Sequence, residues 1–185
     1  RNGLLVLPTG AGKSLIIADI AARLEEPLIV FQPNKEILEQ NFAKLQTYGI
    51  WDCSIYSASV GRKEISRITF ATIGSVIRHM KDFQHFKNIL IDECHLVKPS
   101  DGMYKRFFEQ AERRIVGLTA TPYRLYSCMN GSMLKFLTRT RPRVFSQVLY
   151  YCQVSELLAK GFLSRLKYYD VTRIDLTKVR RNSSG

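Results

Sequence analysis

Residues 7–14 read Leu7-Pro8-Thr9-Gly10-Ala11-Gly12-Lys13-Ser14 and stand between an apolar run and a helix-like segment. No other stretch restricts the fold as strongly. Gly10 and Gly12 permit a tight turn and let backbone approach anionic oxygens that a Cβ would keep away. Lys13 is a point charge within reach of β- and γ-phosphates, and Ser14 is a hydroxyl that can ligate a metal ion. The usual pattern opens with Gly five residues before the Gly-Lys pair, a place held here by Leu7. The surroundings compensate. Gly3-Leu4-Leu5-Val6-Leu7 reads as a buried strand and residues 15–22 as a buried helix, whose positive end would face the same oxygens.

A second feature lies about 80 residues downstream, where Asn88-Ile89-Leu90-Ile91 runs into Asp92-Glu93-Cys94-His95. Four apolar-leaning residues suit a central parallel strand, and acidic groups at the carboxyl end of such a strand face the ligand side of an open α/β sheet. Beside a phosphate loop they form a natural metal and water site, Asp92 holding Mg²⁺ and Glu93 polarising the attacking water. Cys94 reads as a small side chain packed beneath this loop rather than as a nucleophile.

Strand-like and helix-like segments alternate along the rest of the chain. Residues 28–31, 53–56, 68–71, 88–91 and 115–118 read as strands; residues 35–48, 73–80 and 104–113 read as helices. Asn34 is placed to cap the helix after it. Residues 57–66 form a polar loop, 129–132 a turn and 139–143 a basic loop. A helix is expected from Val148 to Lys160, stopped by Gly161, with a strand over residues 166–174. Such alternation implies a mostly parallel sheet with helices on both faces. At 185 residues and 45% hydrophobic the chain can bury one complete core. No stretch approaches the ~18 apolar residues of a membrane span, and no charged-then-apolar leader opens the sequence. Cys53, Cys94, Cys128 and Cys152 lack the paired spacing of a zinc site and suit a reducing cytosol, so a cytoplasmic location is expected.

Three of these segments resemble a known family. Pro8-Thr9-Gly10-Ala11-Gly12-Lys13-Ser14, Asp92-Glu93-Cys94-His95 and Thr119-Ala120-Thr121-Pro122 look like motifs I, II and III of superfamily-two helicases. Between them, in the right order, residues 32–40 look like motif Ia and residues 72–76 like motif Ib. The Cys-containing box, the phrase over residues 117–124 and the later Glu156-Leu157-Leu158-Ala159-Lys160-Gly161-Phe162-Leu163 resemble bacterial RadD-like DNA-repair helicases.

The resemblance implies a RecA-like P-loop NTPase core over residues 1–124, and residues 125–185 as its C-terminal extension toward a second RecA-like domain. It implies ATP and Mg²⁺ as cofactors. It assigns phosphate-backbone contacts to Pro33, Asn34, Lys35, Gly74 and Ser75, and coupling between nucleotide and nucleic acid to His95, Thr119, Thr121 and Arg124, the last also being the nearest local candidate to stand in for an arginine finger. Helix N-termini and a lysine grip phosphates without reading bases, as a translocating motor requires. The charge balance agrees. There are 28 basic against 16 acidic residues, net +12, and residues 135–181 hold 11 basic and 3 acidic of these. A solvated basic face is the plain account; beside these motifs a track for a phosphodiester backbone is at least as good.

The expected function is therefore the ATP-binding motor domain of a DNA helicase or translocase. An RNA helicase of the same superfamily, the motor subunit of a restriction enzyme and an ATP-switched nucleic-acid-binding protein are the alternatives. DNA is preferred over RNA because the best-known RNA group spells the acidic box with Ala and Asp. Residues 1–185 alone are expected to hydrolyse ATP at near-background rates. They open directly before the first strand, without the upstream segment that holds adenine in such helicases, and end before a domain that would bring an arginine finger worth about 10³–10⁵ in rate.

Overall fold

In the computed structural model, residues 2–128 and 131–167 are described. Four short strands carry the apolar runs: β1 (Gly3–Val6), β2 (Leu28–Phe31), β5 (Ile68–Ala71) and β6 (Asn88–Ile91). With β3 (Cys53–Ser57), β4 (Arg62–Lys63), β7 (Arg114–Thr119) and β10 (Gln147–Tyr151) they build one eight-stranded sheet in the order β10-β1-β7-β6-β2-β5-β3-β4. Every pairing is parallel except the β3–β4 edge. The expected α/β architecture is the one found.

The strands feed two cores because successive side chains leave opposite faces. Leu28, Val30, Ile68, Phe70 and Leu90 point into a cluster with Ile17, Ala18 and Ala21 of α1 (Lys13–Arg23) and Leu38, Phe42 and Leu45 of α2 (Lys35–Thr47). Ile29, Phe31, Ala71, Ile89 and Ile91 point the other way. They meet Val76 of α3 (Ile73–Val76), Phe107 of α4 (Met103–Phe108), and Phe83 and Phe86. Both faces being covered explains why these strands read as continuous apolar runs rather than alternating ones. Cys94 lies fully buried in the second cluster, and burial pushes its thiol far above the ordinary range, which fits a packing role.

The fold departs from expectation in its C-terminal third. Residues 147–151 form an edge strand parallel to β1, and the helix α5 is confined to Val154–Ala159. Val148, Leu149, Tyr150 and Tyr151 are β-branched, aromatic or apolar, a run whose periodicity cannot separate strand from helix; parallel pairing with β1 decides it. Tyr123–Cys128 (β8) and Gly131–Phe136 (β9) form a separate antiparallel hairpin. The expected 73–80 helix ends at Val76 and is followed by a 3₁₀ turn at Met80–Phe83; the expected 104–113 helix stops at Phe108. Residues 62–63, expected in a loop, pair as β4. Met129, Asn130 and nearly all of the expected 166–174 strand lie outside the described residues. Among the described residues no helix is long and apolar enough to cross a membrane.

Gly117 is fixed by packing across the sheet. A Cβ there would fall 2.6 Å from Cys94 Sγ and 2.8 Å from Phe145 Cε1, both in the buried interior. Gly117→Ala is expected to lower stability by about 1–3 kcal/mol through overpacking, read as a lower urea midpoint with an unchanged slope.

Candidate functional site

The parallel sheet brings five loops to the carboxyl ends of its strands. β1 ends in the phosphate loop, β2 in Gln32-Pro33, β5 in Thr72, β6 in Asp92 and β7 at Thr119. In the phosphate loop Gly10 and Gly12 take φ values of 83° and 78°, which L side chains rarely adopt. Ala11 N–H donates to the Pro8 carbonyl at 3.1 Å and closes the turn around Thr9. A Cβ on Gly10 would also meet Leu163, whose segment after α5 lies over the loop. Helix α1 starts at Lys13 with Gly12 at its cap, no side-chain cap and no acidic residue in its first turn. Its positive end is thus left for an external anion.

Lys13 and Glu93 meet at this edge, Nζ to Oε1, at 2.6 Å, and both are partly shielded from solvent. Glu93 sits at φ 46°, a left-handed conformation that costs a non-glycine residue energy and here turns the chain sharply after β6. His95 Nδ1 lies 3.3 Å from Glu93 Oε2 and 3.0 Å from Thr119 Oγ1. Thr119 Oγ1 also accepts from the Thr121 N–H at 3.0 Å. Arg124 donates from Nε to the His95 carbonyl. One connected network therefore contains Lys13, Glu93, His95, Thr119, Thr121 and Arg124.

Asp92 is 5% exposed. Burial raises its carboxyl above the ordinary range, Lys13 pulls the other way, and neighbouring Glu93 adds to the rise. Its Oδ1 accepts from the Glu93 N–H at 3.0 Å and its Oδ2 from Asn41 Nδ2 at 3.3 Å. Asn41 in turn accepts from Ser14 Oγ at 2.7 Å, so the hydroxyl and the carboxylate share one buried partner. A serine oxygen and two carboxylates suit a hard divalent cation, and the lysine and helix terminus suit a polyphosphate that would carry it.

The remaining expected residues gather in a neighbouring groove. A cavity of about 520 Å³ is lined by Pro33, Asn34, Lys35, Gly74 and Ser75 together with exposed Lys63, Arg78 and His79. Not all of these side chains are free. Asn34 caps α2 by accepting from the Ile37 N–H at 2.9 Å. The Ser75 hydroxyl accepts from Ala58 N–H at 2.8 Å and bonds Thr72 Oγ1 at 2.9 Å. Lys35, Lys63 and Arg78 supply the groove's positive charge.

Three contributors are given no site role by the sequence: Lys63, Arg78 and Asn41. Lys63 and Arg78 reach the groove through the β3–β4 pairing and the turn after α3, neither of which leaves a local signature. Asn41 left one. It is a polar residue on the buried face that Leu38, Phe42 and Leu45 define, where an amide needs partners. Gln32, 1% exposed, is its neighbour at 3.2 Å.

Comparison with known proteins places this geometry in a family. The family model described as "Type III restriction enzyme, res subunit" matches residues 1–124. A DNA 3'-5' translocase, XPB2, of Sulfurisphaera tokodaii is 28% identical over 127 residues, covering 67% of this chain and 28% of that protein. A protein of African swine fever virus, whose name assigns it provisionally to ATP-dependent RNA helicases, is 27% identical over 164 residues, covering 85% of this chain and 32% of its own. The chain thus spans about a third or less of these relatives. Among solved structures, the UvsW helicase of bacteriophage T4 matches with a TM-score of 0.56 at 21% identity, over 66% of this chain and 48% of that one. The Type ISP restriction–modification enzyme LlaGI matches with a TM-score of 0.61 at 13% identity, over 87% and 19%. At these identities the structures establish the fold, a RecA-like α/β domain. With two thirds of its length matched by one family model, the chain belongs to the res-subunit family of type III restriction enzymes, within the superfamily-two helicases.

Proposed function

We propose that this chain is the ATP-binding motor domain of a DNA helicase or translocase, coupling ATP hydrolysis to movement along a phosphodiester backbone. The observation that carries the reading is the convergence of the phosphate loop on the acidic box, with Lys13 2.6 Å from Glu93 and Ser14 joined to Asp92 through Asn41. The family match and the name of the DNA translocase relative support it. On this reading residues 125–167 extend the same domain, a view supported by the pairing of β10 with β1.

Each residue then has a role its position supports. Gly10, Ala11 and Gly12, with Pro8 and Thr9 closing the turn, wrap backbone around the phosphates. Lys13 exchanges the Glu93 carboxylate for phosphate oxygens, which frees Glu93 to orient and deprotonate a water. Ser14 and Asp92 would hold Mg²⁺. That ion, when bound with ATP, neutralises charge developing on the phosphoryl oxygens. His95 bridges Glu93 to Thr119, and Thr121 and Arg124 extend the same network toward the β8–β9 hairpin. The groove of Lys35, Lys63, Arg78 and Gly74 opens beside it and suits a backbone held without base readout.

ATPase assays of the full-length protein with single-stranded, duplex and forked DNA and with RNA test the reading directly. Stimulation by DNA is expected; stimulation by RNA alone would transfer the motor to RNA, and an absence of turnover with every polymer would reject it. Lys13→Ala should weaken ATP binding at least tenfold, since a charge-assisted contact to phosphate is lost; unchanged affinity by fluorescence anisotropy would remove the loop assignment. Glu93→Gln should retain ATP while turnover falls about 10²–10⁴-fold in single-turnover assays, the usual share of a general base. Lys35→Glu should weaken single-strand binding evenly across sequences and reduce the salt slope by about 1. A changed base preference at constant slope would contradict backbone gripping.

A further inference from the structure

The phosphate loop and the acidic box are joined by a side chain that belongs to neither. Asn41 lies within α2, 7% exposed, beside Leu38, Phe42 and Leu45. Each end of its amide is engaged. Oδ1 accepts from Ser14 Oγ at 2.7 Å; Nδ2 donates to Gln32 Oε1 at 3.2 Å and to Asp92 Oδ2 at 3.3 Å. With Asp92 charged and the Gln32 amide oriented as it stands, turning the Asn41 amide over would set its oxygen against two other acceptor oxygens, so this orientation is the one that gives both ends of Asn41 a partner.

The arrangement has a consequence at each partner. Ser14 has one hydroxyl hydrogen, and Asn41 takes it, so the oxygen's lone pairs are left for an incoming cation. Asp92 accepts from Asn41 on one oxygen and from the Glu93 N–H on the other, which fixes the plane of its carboxylate. Gln32, which orients the Asn41 amide, directly precedes Pro33-Asn34-Lys35 at the edge of the basic groove. Its Nε2 is buried and has no hydrogen-bond partner among the described residues. It also lines a cavity of about 470 Å³ that runs from Asp92 and Glu93 to Gly74.

We propose that Asn41, oriented by Gln32, is the positioning residue that sets the Ser14 hydroxyl and the Asp92 carboxylate for the divalent cation and ties both to the start of α2, where nucleic acid is gripped. The proposal rests on the Mg²⁺–ATP reading above and deepens it. Ser14 and Asp92 belong to two segments far apart in sequence, and Asn41 is the group that hydrogen-bonds to both. A backbone phosphate pulling on the first turn of α2 moves Gln32 and Asn41 together, and with them both cation ligands. The nucleic-acid groove thereby gains a direct mechanical route to the metal site.

The test is binding of a fluorescent ATP analogue to the full-length protein, followed by anisotropy across a Mg²⁺ titration, with and without oligo-dT, and again in EDTA. In Asn41→Leu, half-maximal Mg²⁺-dependent binding should need about tenfold more Mg²⁺, from the loss of hydrogen bonds to a charged group. Affinity in EDTA should match the parent, because Lys13 and the glycine loop are untouched. Oligo-dT should shift the Mg²⁺ requirement of the parent and not that of the variant. Gln32→Met removes one of the three bonds and should move the requirement about threefold in the same direction, which keeps the test open if Asn41→Leu does not fold. An unchanged Mg²⁺ requirement in the variants, or an equal loss in EDTA, would overturn the assignment and leave Asn41 as ordinary packing. A parent that binds no nucleotide in either condition would instead bring down the Mg²⁺–ATP reading, and this proposal with it.

Discussion

The site depends on the parallel register of β1, β7, β6 and β2. Hydrogen bonds continue past the paired strand residues: Leu7 N–H donates to the Thr119 carbonyl at 2.9 Å, and Asp92 N–H to the Phe31 carbonyl at 3.0 Å. These two contacts hold the start of the phosphate loop against the end of β7, and the acidic box against the end of β2. A parallel sheet puts all such strand ends on one edge, so residues as distant in sequence as Ser14 and Asp92 are bridged by a single side chain. A slip of one residue in any of these strands would turn its core side chains to the wrong face, which the two buried clusters forbid.

On that edge, polar groups sit directly above an apolar double core. Asn41, Gln32, Asp92 and Thr119 are all buried, and their hydrogen bonds to one another or to near neighbours make that burial tolerable. Desolvation raises Asp92 toward its neutral form, whereas nearby Lys13 favours the charged one. The Lys13–Glu93 pair supplies a second balance. Each charge neutralises the other. Under the proposed function, a polyphosphate would take Lys13 from Glu93 and leave the carboxylate to water, so that binding and activation would be two results of one exchange.

Under the proposed function, binding without base readout would follow from what the groove offers. Lys35, Lys63 and Arg78 present charge, and Asn34 and Ser75 spend their side chains on capping and on Thr72 and Ala58. Side chains already committed to the protein's own backbone have little left with which to distinguish bases. A surface of this kind responds to salt more than to sequence.

Local chemistry made much of this legible in the chain. Two glycines, a lysine and a serine between a strand and a helix admit few folded uses, and an acidic pair after an apolar tetrad belongs at a strand end in few architectures. Buried parallel strands announce themselves as unbroken apolar runs, so β2, β5 and β6 could be read directly. What escaped reading depends on partners far along the chain. Residues 147–151 are strand because β1 offers them an edge, and the same apolar run would serve a helix equally well without it. Gly117 is confined by Cys94 and Phe145 across the sheet, which its own surroundings in sequence do not disclose. Asn41 looks like a lapse in an amphipathic helix until Ser14 and Asp92 are brought to it. The sequence by its local pattern decides which backbone each segment prefers and which groups it carries; the distances among those groups are set by sheet order and register, through contacts that no short window of sequence contains.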